Sequence, residues 1–300
     1  MNRRSLLKGA LMGASVLALR PAFSLADEAR ADGAPADEVG GGAAQLAALE
    51  RQHGGRLGVS ILDIGSGRRI GYHADERFLM CSTFKLVAVA AVLARVDRGV
   101  EQLNRRIVFG PDVVLSYAPV TRQHVGNPGM TVAELCEAAI TLSDNTAANL
   151  LLTSLGGPAA VTAYLRQIGD KVTRLDRTEP ELNVGSPGDL RDTTTPNAML
   201  ETMRTLLLGT VLSDASRKQL VAWLRATTTG INRLRAGLPA GWDAGDKTGS
   251  GSHGETNDVA IIWPPQRKPL LVTTYYAAPT ANAAGLKAVF SEVGRIAASI

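Results

Sequence analysis

A serine and a lysine stand three residues apart in CSTFK, Cys81 to Lys85, immediately ahead of LVAVAAVLA, Leu86 to Ala94. Apolar residues without a break predict a helix buried on all sides, and this run is too short to cross a bilayer. Ser82 then falls in the N-terminal turn, where free N–H groups and the helix dipole favour developing negative charge, and Lys85 shares its face one turn on. A lysine in dry surroundings holds its proton less tightly, so it can take the serine hydrogen and turn a weak alcohol into a nucleophile. The pair has the makings of an acylation device. Spacing alone carries little weight, since Ser5 and Lys8 repeat S-x-x-K near the N-terminus.

Company in a fixed order carries more. S-D-N occurs at Ser143, Asp144 and Asn145, K-T-G at Lys247, Thr248 and Gly249, and EPELN at Glu179 to Asn183. Each has a plainer reading. Ser143 and Asn145 suit helix capping, Lys247 and Thr248 suit an edge strand, and Glu179 with Glu181 suits a solvated acidic loop. Tyr117 fits ordinary packing.

Elements must position these residues. Of 300 residues, 45% are hydrophobic, enough for a sizeable core and not for a disordered chain. Residues 1–26 carry paired Arg3 and Arg4, then Lys8, an apolar run broken by Arg20 and Pro21, and small Ser24 and Ala26. That pattern predicts a twin-arginine export signal, removed from a protein that is periplasmic or secreted and keeps no stable membrane insertion. Its four basic residues match the formal excess of +4, so the remainder is formally neutral and offers no basis for a nucleic-acid partner. Residues 27–43 are poor in groups to bury and predict a flexible leader, with order beginning near Ala44.

A short helix stopped by Gly54 and Gly55 leads into a hairpin turning at Gly65 and Gly67. From Ser82 to about Thr227 the periodicity is helical, punctuated by a capping box at TVAE (131–134), by GGP (156–158) and by Pro196 at a first turn. The stretch from Lys171 to Thr195 is polar and too long for a plain connection, which marks a functional loop. Two β-rich runs, DVAIIWP and PLLVTTYYA, and an amphipathic helix close the chain. The expected fold is α+β. One antiparallel sheet of about five strands comes from both chain ends (44–80 and 228–300), flanked by terminal helices, with a large all-α insert (81–227) on the other face. The two cysteines, Cys81 and Cys136, allow either a disulfide or two buried thiols, the latter preferred. The four histidines are scattered singly, so no metal is expected, and nothing calls for a cofactor.

Taken together, MCSTFK, SDNTAANLLL, EPELN and DKTGSG resemble the class A serine β-lactamases, in order and spacing, from about Ala44 to the C-terminus. The resemblance implies a β-lactamase/transpeptidase-like fold with the site in the cleft between the sheet and the helical part. It implies hydrolysis of penicillins and cephalosporins by a monomer. Ser82 would be the nucleophile, its N–H and that of Ser250 the oxyanion hole, and Lys85 a proton-relay partner. Glu179 would be the base that activates water, which Asn183 also holds. Ser143 would pass a proton to the leaving nitrogen, and Asn145 would bond the substrate side-chain amide. Lys247, Thr248, Ser250 and Arg233 would meet the substrate carboxylate, with Tyr117 as the wall of the cleft mouth. A cis Glu179–Pro180 bond and an Arg177–Asp192 pair belong to the same pattern. Val89 and Gly251 stand where some relatives carry half of a disulfide, so neither of those bridges can form. A cell-wall peptidase shares the serine and lysine but lacks the Glu179 loop, and a β-lactam sensor would be tethered to a transducer.

Overall fold

The computed structural model describes residues 36–186, 188–277, 280 and 282–300; the expected export signal and most of the expected leader lie outside them. Helix α1 (Ala36–His53) begins ahead of the start expected near Ala44, so part of the segment read as leader is helical. Ala36, Asp37 and Glu38 are compatible with a helix, and Gly42 lets the helix press on Ile70, where a Cβ would collide. Strands β1 (Arg56–Asp63), β2 (Arg69–Tyr72) and β3 (Phe78–Leu79) follow, then α2 (Phe84–Asp97), β4 (Arg106–Ile107) and β5 (Met130–Thr131). Next come α3 (Val132–Thr141), α4 (Asn145–Leu155), α5 (Pro158–Gln167), β6 (Thr193–Thr194), α6 (Pro196–Leu208) and α7 (Asp214–Arg225). The chain closes with β7 (Asp243–Ser250), β8 (Glu255–Trp263), β9 (Leu270–Ala277) and α8 (Ala283–Ala298).

The main sheet runs β2-β1-β9-β8-β7, antiparallel throughout, and joins strands from both ends of the chain as expected. Side chains alternate across a strand. Val59, Ile61, Ala260, Ile262 and Val272 therefore meet α1 and α8 through Leu46, Phe290 and Val293. Val259, Ile261, Leu271 and Tyr275 face the helical part instead. At the centre of that part α2 is buried from Phe84 through Ala94, which is why its sequence has no polar stripe.

Local signals end the helices where the residues demand it. Thr131 and Glu134 form the reciprocal capping box of α3. Gly156 takes the left-handed conformation that closes α4, and Pro158 opens α5. The expected functional loop is closed by the short β3–β6 ladder and by Arg177, whose Nε lies 2.5 Å from Asp192 Oδ2. Both cysteines are free and buried. Among the described residues no helix is long and apolar enough to cross a membrane, and no His, Cys, Asp and Glu group is placed to hold a metal.

Candidate active site

Ser82 sits on a 3₁₀ turn, Cys81–Thr83, that runs into α2. Cys81 is held at φ +47°, a conformation costly for any residue with a Cβ. Asn257 of β8 holds this turn by donating to the carbonyls of Leu79 (2.9 Å) and Met80 (3.0 Å). Gly249 lets the edge strand β7 close on it, because a Cβ there would stand 2.8 Å from the Met80 oxygen. The K-T-G glycine is thus a requirement of close approach.

Lys85, the second residue of α2 and one turn beyond Ser82, is fully buried. Its Nζ lies 2.9 Å from Ser82 Oγ, 2.9 Å from Glu179 Oε1, 2.8 Å from the Ser143 carbonyl, 3.3 Å from Ser143 Oγ and 2.6 Å from Asn145 Oδ1. Five oxygens surround a group with at most three protons to donate, so hydrogen bonds can be exchanged around it without moving the side chain. Burial lowers its pKa from the ordinary lysine range, and the Glu179 carboxylate opposes that shift.

Glu179 comes from the other side of the sequence and ends beside the same serine. Ser82 Oγ is 3.2 Å from Glu179 Oε1, and Asn183 Nδ2 donates to Glu179 Oε2 at 2.5 Å. The Glu179–Pro180 bond is cis. Asn149 on α4 grips the Glu179 backbone twice, donating to its carbonyl at 2.8 Å and accepting its N–H at 2.9 Å.

Ser143 lies between α3 and α4 at φ +58°. Asp144 fixes this junction: it caps α4 through the Ala147 N–H and accepts from the N–H groups of Val120 and Thr121. Ser143 Oγ lies between two lysines, 3.1 Å from Lys247 Nζ and 3.3 Å from Lys85 Nζ. Burial, and then the neighbouring positive charge of Lys85, pushes Lys247 well below the ordinary lysine range. Two buried amines flank one hydroxyl, an arrangement suited to passing a proton.

The remaining residues line the cleft. Arg233 donates to the carbonyls of Gly249 (2.8 Å) and Asn257, and to Ser250 Oγ at 2.9 Å. The hydroxyls of Thr248 and Thr229 are 2.6 Å apart. Tyr117 is half exposed, and its hydroxyl donates to the Leu142 carbonyl at 3.1 Å. The cleft encloses about 340 Å³ between Ser82, Tyr117, Asn145, Asn183, Arg233 and Ser250 among others. A larger hollow of about 550 Å³ lies behind the 183–190 loop, against Arg77, Phe78 and Asn257, and does not include the serine.

The structure brings the candidate catalytic and substrate-binding residues to this one cleft or its floor. Three that sequence reasoning missed also belong there: Asn149, Asn257 and Thr229. Asn149 stood in plain view, one helical turn beyond Asn145 in SDNTAANLLL, and its position on the same face of α4 was a usable signal. Asn257 and Thr229 carried none.

Known proteins are similar to this chain in sequence and fold. A sequence family described as the Beta-lactamase enzyme family matches residues 42–300. Beta-lactamase CTX-M-8 of Citrobacter amalonaticus is 49% identical over 252 residues, 84% of this chain and 86% of that protein. Beta-lactamase OXY-1 of Klebsiella oxytoca is 48% identical over the same shares. Among solved structures, an ancestral class A β-lactamase superposes with a TM-score of 0.84 at 64% identity, covering 86% of this chain and 99% of the other.

Proposed function

This chain belongs to the class A serine β-lactamases, and on that premise we propose that it opens the lactam ring of penicillins and cephalosporins through an acyl-serine that Glu179 then helps water to release. The observation that carries the reading is the position of one hydroxyl. Ser82 Oγ is within reach of both Lys85 Nζ, at 2.9 Å, and Glu179 Oε1, at 3.2 Å.

In the first half-reaction Ser82 Oγ attacks the lactam carbonyl and gives its proton to the Lys85–Glu179 pair. The developing oxyanion accepts from the N–H groups of Ser82 and Ser250. As the C–N bond breaks, the Ser143 hydroxyl delivers a proton to the leaving nitrogen and is resupplied by Lys85 or Lys247, both within 3.3 Å. In the second half-reaction Glu179 takes a proton from water whose oxygen attacks the ester, and Ser82 leaves with its proton restored. Arg233, Thr248, Ser250 and Lys247 bind the substrate carboxylate, Asn145 binds the side-chain amide, and Tyr117 walls the mouth.

The same reading assigns residues 1–26 as a twin-arginine export signal and the product as a periplasmic or secreted monomer that confers resistance. The test is a chromogenic cephalosporin mixed with purified protein. Continuous turnover is expected from the parent and neither turnover nor covalent adduct from Ser82→Ala. One equivalent of product followed by silence from the parent would instead identify a peptidase or sensor.

A further inference from the structure

Behind β7, on the face turned toward the terminal helices, lie two carboxylates that the proposed chemistry does not use. Thr248 pairs with Asp258 across β7 and β8. Strand side chains alternate, so Asp246, two residues before Thr248, shares the face of Asp258 one diagonal step away. Both are fully buried. Each also holds the 229–237 turn that carries Arg233. Asp246 accepts from Arg235 Nε, and Asp258 Oδ2 accepts the Leu234 N–H at 3.1 Å. The turn can lie on Asp246 because residue 230 is glycine; a Cβ there would collide with the carboxylate.

Each carboxylate has one buried oxygen without a hydrogen-bond partner, Oδ2 of Asp246 and Oδ1 of Asp258. Two ionised carboxylates on one dry face, each with an unserved oxygen, are costly. A single proton held between those two oxygens removes one charge and serves both. Burial pushes Asp258 well above, and Asp246 above, the ordinary carboxylate range. The charged groups acting on the pair are Arg233 and Arg235 from the turn and, from the opposite face of β7, Lys247. On the other side, α8 presents the apolar ring of Phe290 to the Arg233 guanidinium.

We propose that Asp246 and Asp258 share one proton and are the positioning residues of the Arg233 subsite, giving the two arginines a single negative counter-charge so that an anionic substrate supplies the second. With both carboxylates ionised, the guanidinium charges would be neutralised from within and a substrate carboxylate would gain less from the site. The proposal rests on the reading of Arg233 as the carboxylate subsite. The shared proton itself is readable without turnover.

Isotope-edited infrared spectroscopy of the purified enzyme tests it directly. At neutral pH a protonated-carboxyl C=O band should be present, shift on carbon-13 labelling of aspartate, and be lost in both Asp258→Asn and Asp246→Asn. Absence of that band from the parent enzyme overturns the shared proton, whether or not the variants fold. Raising the pH until the band disappears should then raise KM, more than it changes kcat, for a cephalosporin with a free carboxylate. The rise should be roughly tenfold, the equivalent of one pK unit of interaction. It should be absent for the carboxylate ester of the same compound and absent in Asp258→Asn. A band that titrates while KM for the anionic substrate stays flat overturns the positioning role.

Discussion

Replacing Glu179 with glutamine separates the two half-reactions. The amide keeps the size of the side chain but cannot take a proton. Two consequences follow from the geometry. Burial draws Lys85 toward its neutral form, and the Glu179 carboxylate at 2.9 Å is the largest influence opposing this. Removing that charge leaves burial in control, so Lys85 gives up its proton more readily and can still activate Ser82. Hydrolytic water, by contrast, loses its base, which costs deacylation about 10²–10⁴-fold. From an ordinary turnover of about 10 s⁻¹, a thousandfold loss gives an acyl-enzyme lifetime on the order of 100 s. Acylation then outruns release and the ester accumulates. Rapid quench with intact-mass spectrometry should show close to one adduct per enzyme, the mass of the whole β-lactam, decaying over minutes. Turnover at the parent rate, or a folded variant that never acquires the adduct, would refute the division of labour between Lys85 and Glu179.

Three further outcomes are expected. Arg177→Leu strips the neck of the 171–195 loop, leaving the buried Asp192 with only the N–H groups of Asp176 and Arg177; it should cost about 2–3 kcal/mol in urea unfolding and slow deacylation more than acylation, and equal slowing of both steps would contradict the role given to the loop. Glu101 is held at about 2, against 4.5, chiefly by hydrogen bonds from Arg105. A depressed acid stabilises the fold above its unfolded pKa and loses that contribution as pH falls through the folded one. Because Arg105 is 44% exposed, Glu101→Gln should cost only roughly 2 kcal/mol at neutral pH, a deficit that vanishes toward pH 2 in acid unfolding curves. Arg3→Lys combined with Arg4→Lys should leave active enzyme in the cytoplasmic fraction with its leader uncut; normal export of that variant would refute the twin-arginine assignment.

Much of the site was legible before folding because its chemistry depends on residue type. Ser82 and Lys85 are one helical turn apart, and helix geometry alone puts them on one face. Pro158, Pro196, Gly156 and the Thr131–Glu134 box act on their own backbone, so the helix boundaries they set were readable too. Other parts gave no local sign. Asn149, Asn257 and Thr229 work through bonds to the backbone or to a hydroxyl of another element, and an asparagine on a helix or in a strand looks the same whether or not such a partner exists. The start of α1 differs from the expectation for a similar reason, since the run Gly40 to Gly42 is a weak helix former and Gly42 meets Ile70, a neighbour distant in sequence.

Periodicity and capping, which act over a few residues, made the helices and strands of this chain readable from its sequence, and motif order pointed to a serine nucleophile with an amine beside it. Folding decided what stands next to what. Only the closed structure brings Glu179, 97 residues from Ser82, to the same hydroxyl and sets Lys247 against Ser143. Only the pairing of β7 with β8 puts Asp246 and Asp258 on one dry face behind Arg233. Contacts between distant segments are selected by burial and charge summed over the whole molecule, and no short stretch of sequence contains that sum.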